Sequence, residues 1–276
     1  MGLPVNHPHP TSNHRKRILM LHGYAQNATT FSRRMAAVRK ACADEVEMVF
    51  IDAPHVLNPV DLATNIERMN VDPSEKVNDP TLTPRGWWAK ADTGKAESHA
   101  TGLKASLEYL RDYLAHEHFD AVFGFSQGAS MSLIVSIMLE KPHLYEPFLI
   151  DRKPVHPRFE YGICVGAFIP FGSICETLFA TPFNTPFLHI YGKYDVVVLE
   201  ERTKRVIELN NSSSKRVESH IGGHFVPISP RWKRFFIDYI RTGSANPGCV
   251  LSPSASSKSL DPVFVELDVT NAATPF

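Results

Sequence analysis

The 276-residue sequence predicts an α/β fold: a mostly parallel, doubly wound sheet flanked by helices. Three observations carry that expectation. Short runs rich in β-branched and aromatic residues alternate with longer stretches of helical periodicity, the pattern of a sheet wound by crossover helices. Several of the runs are apolar at successive positions, as strands buried on both faces are. The stretches between them repeat apolar residues every three to four positions, the stripe of a helix laid on a core.

The expected strands are RILMLHG (17–23), EMVFIDAPH (47–55), AVFGFS (121–126), YGICVGAF (161–168), PFLHIYG (186–192) and RVESHI (216–221). Between them, one helical stripe carries Phe31, Met35, Val38 and Cys42, a second Leu103, Leu107, Leu110 and Leu114, and a third Trp232, Phe235, Phe236, Tyr239 and Ile240. The connection 57–96 breaks the rhythm. It lacks periodicity and is rich in Asn, Asp, Pro and Thr, and so long a loop inside a domain is usually a lid or pocket wall. It contains Arg85-Gly86-Trp87-Trp88. Trp87 and Trp88 must bury their rings either in an apolar substrate pocket or against the body of the protein, as an anchor. Residues 1–15, rich in Pro, His and Asn, read as a disordered lead-in, 16–242 as the folded domain, and 243–276 as a low-complexity tail in which VFVEL (263–267) has strand character.

Composition narrows the function classes. Hydrophobic residues make up 43% and charged residues 21% of the chain, which is ordinary for a soluble globular protein. Lys plus Arg and Asp plus Glu both number 29, and no basic stripe is present, so a nucleic-acid partner is not expected. The four cysteines are widely spaced with no CxxC pair, which suits free thiols in a reducing compartment. The N-terminus has no apolar core of the length a signal peptide needs, and the longest apolar stretch, Gly128 to Leu139, is broken by serines and falls short of a membrane span. A cytoplasmic enzyme of unspecified oligomeric state is the expectation.

The strongest local signal is Gly124-Phe125-Ser126-Gln127-Gly128. It follows an apolar strand and opens a helix of small and then apolar residues. In that context G-x-S-x-G is a nucleophile elbow, a strained turn that exposes a serine hydroxyl at a helix N-terminus. Alone, the same motif is an ordinary Gly-rich turn; its flanks make it specific. A serine needs a base to take its proton. In an α/β-hydrolase the acid and then the histidine follow the serine along the chain. His224, in Gly222-Gly223-His224-Phe225 after the last strand, is the expected base, and Asp195, just past strand 186–192, the expected acid. Glu176 is a poorer candidate, lying well beyond the preceding strand, and Asp52 precedes the serine. The oxyanion donors are expected to be the backbone amides of Gln127 and Tyr24, the latter after Leu21-His22-Gly23. His220 and His224 have a spacing used by metal ligands, but on an extended chain they would stand about 13 Å apart, so no metal is expected.

With LHGYAQN, RGWW, GFSQG, YGKYD and GGHF in that order, the chain resembles the fungal "family of serine hydrolases" type over residues 16 to about 241. The resemblance implies an α/β-hydrolase with neither metal nor organic cofactor, with Ser126, Asp195 and His224 as the triad. It also implies carboxylesterase or thioesterase activity on a small-molecule acyl ester or thioester, some relatives being stand-alone thioesterases of polyketide synthases. Segment 140–160 departs from the family pattern as an insertion expected beside the pocket. Its Leu144, Tyr145, Phe148, Leu149 and Ile150, with the tryptophan pair, lead to an expected preference for medium-length acyl chains. A peptidase, phospholipase or C–C hydrolase on the same triad, or a non-catalytic binding module on the same fold, are the alternatives.

Overall fold

Side-chain alternation along strand β1 (Lys16–Leu21) divides the molecule into two cores. Leu19 and Leu21 point into one hydrophobic cluster, Ile18 and Met20 into the other. Successive residues of a strand face opposite sides, so a strand apolar at every position must be covered on both. Strands β2 (Val46–Ile51), β3 (Ala121–Phe125), β4 (Tyr161–Val165), β5 (Phe187–Gly192) and β6 (Arg216–His220) complete a six-stranded sheet in the order β6-β5-β4-β3-β1-β2. Every pairing is parallel. The doubly wound expectation is borne out. The computed structural model describes residues 15–57, 83–90, 100–242 and 247–254. The expected lead-in, most of the 57–96 connection and the VFVEL segment lie outside these residues. No helix among them is long and apolar enough to cross a membrane.

Helices α1 (Ala28–Arg34), α2 (Ala36–Ala41) and α7 (Pro230–Thr242) carry residues of one core. Helices α3 (Leu103–His116), α4 (Gln127–Glu140), α5 (Ser173–Leu178) and α6 (Glu200–Leu209) carry residues of the other. The single stripe from Phe31 to Cys42 is two helices, broken at Met35. Helix α1 begins at a capping box in which Asn27 and Thr30 satisfy each other's backbone amides, a reciprocal arrangement that fixes a helix start. Helix α4 is buried on every side from Gln127 to Leu139. Its serines remain compatible with that burial because Ser132 and Ser136 donate to carbonyls one turn back, at 2.7 Å each, leaving no unsatisfied hydroxyl.

The strand order reverses at β1. From there the chain runs outward to β2, then crosses to β3 and proceeds outward through β6. A sheet wound this way leaves a crevice at the carboxyl ends of the two strands that flank the reversal, here β1 and β3.

Segment 140–160 is not beside that crevice. It follows the C-terminus of α4, whose 14 residues span about 21 Å, and it returns the chain to the amino end of β4. There it forms two single 3-10 turns and a tight hairpin whose turn residues Asp151 and Arg152 have φ of 50° and 61°. Phe148 is buried in the core, Leu144 and Tyr145 lie half-buried against it, and Arg111 on α3 donates to the Pro147 carbonyl at 3.1 Å. These residues complete the core at the end of the sheet away from Ser126 and supply no acyl wall. Beyond α7, residues 247–254 lie against the body: Val250 is buried, and Ser252 donates to Glu218 on β6 at 2.6 Å.

Glu140, the last residue of α4, ties that helix to the entry of β5. Its carboxylate accepts from the Asn184 and Thr185 amides at 2.9 and 2.8 Å and from the Thr185 hydroxyl at 2.9 Å. Burial by itself would raise its pKa, but these hydrogen bonds outweigh burial and hold it below the ordinary 4.5. A carboxylate depressed in the folded state stabilises above its unfolded value and loses that contribution as pH falls. Glu140→Gln should therefore lower stability by about 2 kcal/mol at pH 7, and the difference from wild type should shrink below pH 4.5. Urea unfolding at pH 7 and pH 3.5 measures both; an equal loss at the two values would exclude the charge as its source.

Candidate active site

Three loops at the carboxyl ends of β3, β5 and β6 bring Ser126, Asp195 and His224 together. Ser126 leaves β3 with φ 54° and ψ −118°, a backbone state costly for any residue with a Cβ. The two flanking glycines make the turn possible. A Cβ on Gly124 would stand 2.2 Å from the Gly128 carbonyl oxygen, and one on Gly128 2.1 Å from the Leu21 carbonyl oxygen. Both contacts are with backbone, which cannot move aside, so the helix packs onto β1 only if both positions lack a side chain.

The His224 ring accepts from the serine hydroxyl at Nε2, 2.8 Å away, and Nδ1 lies 2.6 Å from Asp195 Oδ2. The carboxylate requires a proton on Nδ1, which leaves Nε2 as the acceptor. Asp195 is oriented in turn, since its Oδ1 accepts from the Val197 and Val198 amides at 2.9 and 2.8 Å. The Phe125 ring lies 5.0 Å from the imidazole. Only 3% of the Asp195 side chain and 9% of His224 reach solvent, so little water competes within the chain of hydrogen bonds.

Gln127 and Tyr24, the expected oxyanion donors, lie at the ends of neighbouring strands. The Gln127 amide is at the first position of α4, where no carbonyl lies one turn back. Sequence reasoning missed what holds the Tyr24 loop. Buried His22 accepts the Ala53 amide at Nε2, 3.0 Å, and so carries its proton on Nδ1, which donates to the Gly23 carbonyl at 2.7 Å. Burial pulls the His22 pKa down to about 4, so the ring stays neutral and keeps this tautomer. The Gln26 side chain accepts the Gly23 amide at 3.0 Å. The only available signal was the histidine in Leu21-His22-Gly23, of which the glycine alone was used.

Trp87 is an anchor and not a pocket wall. It has no exposed surface, and its indole N–H donates to the His22 carbonyl at 2.9 Å. The side-chain amide of Gln127 clamps the backbone on either side, accepting from Trp87 N at 3.0 Å and donating to Trp88 O at 2.9 Å. Trp88 is 5% exposed and stands edge-on to Phe168 at 6.1 Å. Sequence alone leaves the anchor and pocket readings equal because it does not show which side chain meets α4.

A second constellation shows what burial does to the same kind of geometry. Cys164 Sγ lies 3.1 Å from His189 Nδ1, and His189 Nε2 lies 2.9 Å from Asn210 Nδ2. Asn210 Oδ1 accepts the Ser212 amide, so its nitrogen donates to Nε2 and the ring proton sits on Nδ1, facing sulfur. Burial pulls His189 down to about 3 and pushes the Cys164 thiol far up. The thiol is thus neither ionised nor offered a free base. His220 does not join His224; it packs against Phe225 and Trp232 at 4.9 and 5.9 Å. Among the described residues no three His, Cys, Asp or Glu side chains converge as a metal site requires.

Comparison with known proteins places this site in a family. The model of the serine hydrolase family FSH1 matches residues 11–236. Esterase OVCA2 of Danio rerio is 29% identical over 239 residues, covering 82% of this chain and 96% of that protein. Esterase CG5412 of Drosophila melanogaster is 26% identical over 231 residues, covering 82% and 73%. Among solved structures, acyl-protein thioesterase 2 of Zea mays superposes with a TM-score of 0.54 at 20% identity, covering 87% of this chain and 97% of that one. Esterase PE8 gives 0.52 at 18%, covering 82% and 92%; both likenesses concern the α/β-hydrolase fold. The family match spans all six strands and Ser126, Asp195 and His224, and this protein belongs to the FSH1 family of serine hydrolases.

Proposed function

We propose that this serine hydrolase cleaves a carboxylic ester or thioester of a medium-length acyl group through an acyl-enzyme on Ser126. The observation that carries the reading is the unbroken hydrogen-bond chain from Ser126 through His224 to Asp195. His224 Nε2 takes the hydroxyl proton as Ser126 Oγ attacks the acyl carbon, and Asp195 stabilises the imidazolium that forms. The Gln127 and Tyr24 amides receive the oxyanion. Collapse expels the alcohol or thiol, which takes the proton from His224. Water, deprotonated by the same nitrogen, then attacks the ester carbonyl and releases the acid, restoring the serine.

Support for chain length comes from the loop after β4. A cavity of about 570 Å³ is lined on its apolar side by Ile169, Pro170 and Phe171 of this loop with Phe179 and Leu209, and by none of Ser126, Asp195 or His224. That volume lies within the range of small-molecule sites. The start of the same loop touches the imidazole: a Cβ on Gly166 would lie 3.2 Å from His224 Cε1.

Ser126→Ala should fold normally, abolish labelling by a fluorophosphonate and lower kcat by roughly 10³-fold or more. Labelling of the variant at the wild-type level would place the nucleophile elsewhere. Asp195→Asn should lower kcat by up to about 10⁴-fold by favouring the wrong tautomer. Near-wild-type turnover by Asp195→Asn would remove Asp195 from the site.

A panel of p-nitrophenyl esters from C2 to C12, with matched thioesters, tests the acyl preference. Each buried methylene adds up to ~0.8 kcal/mol, about fourfold in kcat/KM, until the cavity is full. A maximum at intermediate length is expected, and a steady decline from acetate upward contradicts it.

A further inference from the structure

The cavity beneath the loop after β4 is not uniformly apolar. Arg202 and Arg205 of α6 line it together with Glu176 and Glu208. None of these four forms an ion pair with another described residue. They differ in their solvation. Glu176, Glu208 and Arg205 are exposed, whereas Arg202 is half-buried, and burial lowers its pKa below the ordinary arginine value. Its guanidinium lies over the Phe168 ring, 4.4 Å from the centroid. A ring face offsets part of the desolvation of a cation but supplies no anionic partner. A partly desolvated charge acts more strongly on a ligand than solvated charges at the rim, so Arg202 sets the sign of the inner cavity and the two glutamates do not.

The cavity is tied firmly to the catalytic loops. Phe168 is fixed to α4 through Ser130, one turn beyond Ser126: its amide donates to the Ser130 hydroxyl at 3.1 Å, and that hydroxyl donates to the Phe168 carbonyl at 2.6 Å. Thr203, beside Arg202, donates to the Ala167 carbonyl at 2.9 Å. Gly166 at His224 and Phe168 at Arg202 are two residues apart, about 7 Å of extended chain at most. A substrate that reaches from Ser126 to Arg202 would run along this loop.

We propose that Arg202, assisted by Arg205, binds an anionic group, carboxylate or phosphate, carried by the substrate at a distance from the scissile ester. The guanidinium fork matches either anion in a bidentate pair, and the apolar walls hold the methylenes between the two ends. The substrate class is then an acyl ester or thioester with a charged far end. This rests on the esterase reading above and is separable from it.

The test compares three p-nitrophenyl esters of equal chain length: a neutral alkanoate, the hemi-ester of a dicarboxylic acid, and an ester ending in a phosphonate. Fluorophosphonate labelling of Ser126 and turnover of the neutral ester report on the esterase reading alone. For the wild type, kcat/KM for at least one charged ester should exceed that for the neutral one by about tenfold, and the better of the two identifies the anion. In Arg202→Gln the charged-to-neutral ratio should fall to about one, while Arg202→Lys retains part of it. Because the ratio is taken within one variant, any loss of folded protein cancels. A wild-type ratio at or below one with both anions, or a ratio unchanged in Arg202→Gln, overturns the proposal.

Discussion

Everything at the site depends on the close backbone approach of α4 to β1. Gly128 lies against the carbonyls of Leu21 and His22, so the helix begins as soon as β3 ends and leaves Ser126 in its strained conformation. Holding such a residue costs roughly 1–3 kcal/mol. The helix that imposes it buries Met131, Leu133, Ile134, Val135, Ile137, Met138 and Leu139, each worth about 1.5–3 kcal/mol. Burial exceeds the strain several-fold, and the serine stays where packing puts it. The strain is stored at the site and offset about one to four helical turns away.

The same packing decides which of two similar constellations can act. Ser126–His224–Asp195 and Cys164–His189–Asn210 both join a nucleophile-type atom, an imidazole and a third group at hydrogen-bond distances. The first lies at the carboxyl edge of the sheet, where Ser126 keeps 7% exposure and the third group is a carboxylate able to stabilise an imidazolium. The second lies within β4 and β5, with Cys164 and His189 at 1% and 0% exposure. Its third group is a neutral amide whose donor fixes the ring proton toward sulfur. Geometry without access or compensating charge gives a satisfied core network.

The residues whose roles follow from local pattern were legible in the sequence. Alternation and apolar runs mark the six strands, and the Gly124 to Gly128 turn with its flanks marks the serine. Chain order then selects Asp195 over Asp52, and the glycines before His224 single it out among the histidines. What was not legible depends on contacts between distant segments. The stripe from Phe31 to Cys42 does not reveal the break at Met35, because both halves face the same core. Segment 140–160 was misplaced although topology alone would have corrected it: in a parallel sheet the chain leaving the C-terminus of α4 must return to the amino ends of the strands. The role of His22 requires knowing that the Ala53 amide meets its ring, a pairing 31 residues apart in sequence.

Gln127 joins these levels in one residue. Its backbone begins α4 beside the serine, and its side-chain amide fixes Trp87 and Trp88. Trp87 in turn donates to the carbonyl of His22, whose ring holds Gly23, the residue before Tyr24. The two expected oxyanion donors are thus connected through a chain of buried hydrogen bonds: Gln127 to Trp87, Trp87 to His22, His22 to Gly23. A buried polar chain of this kind is stable only when every member is satisfied. An aliphatic residue at Gln127 would therefore disturb the Tyr24 loop as well as the tryptophan segment. The Arg85–Trp88 segment is fixed beside β1 and α4 because the helix that begins after Ser126 also supplies the side-chain amide that clamps it.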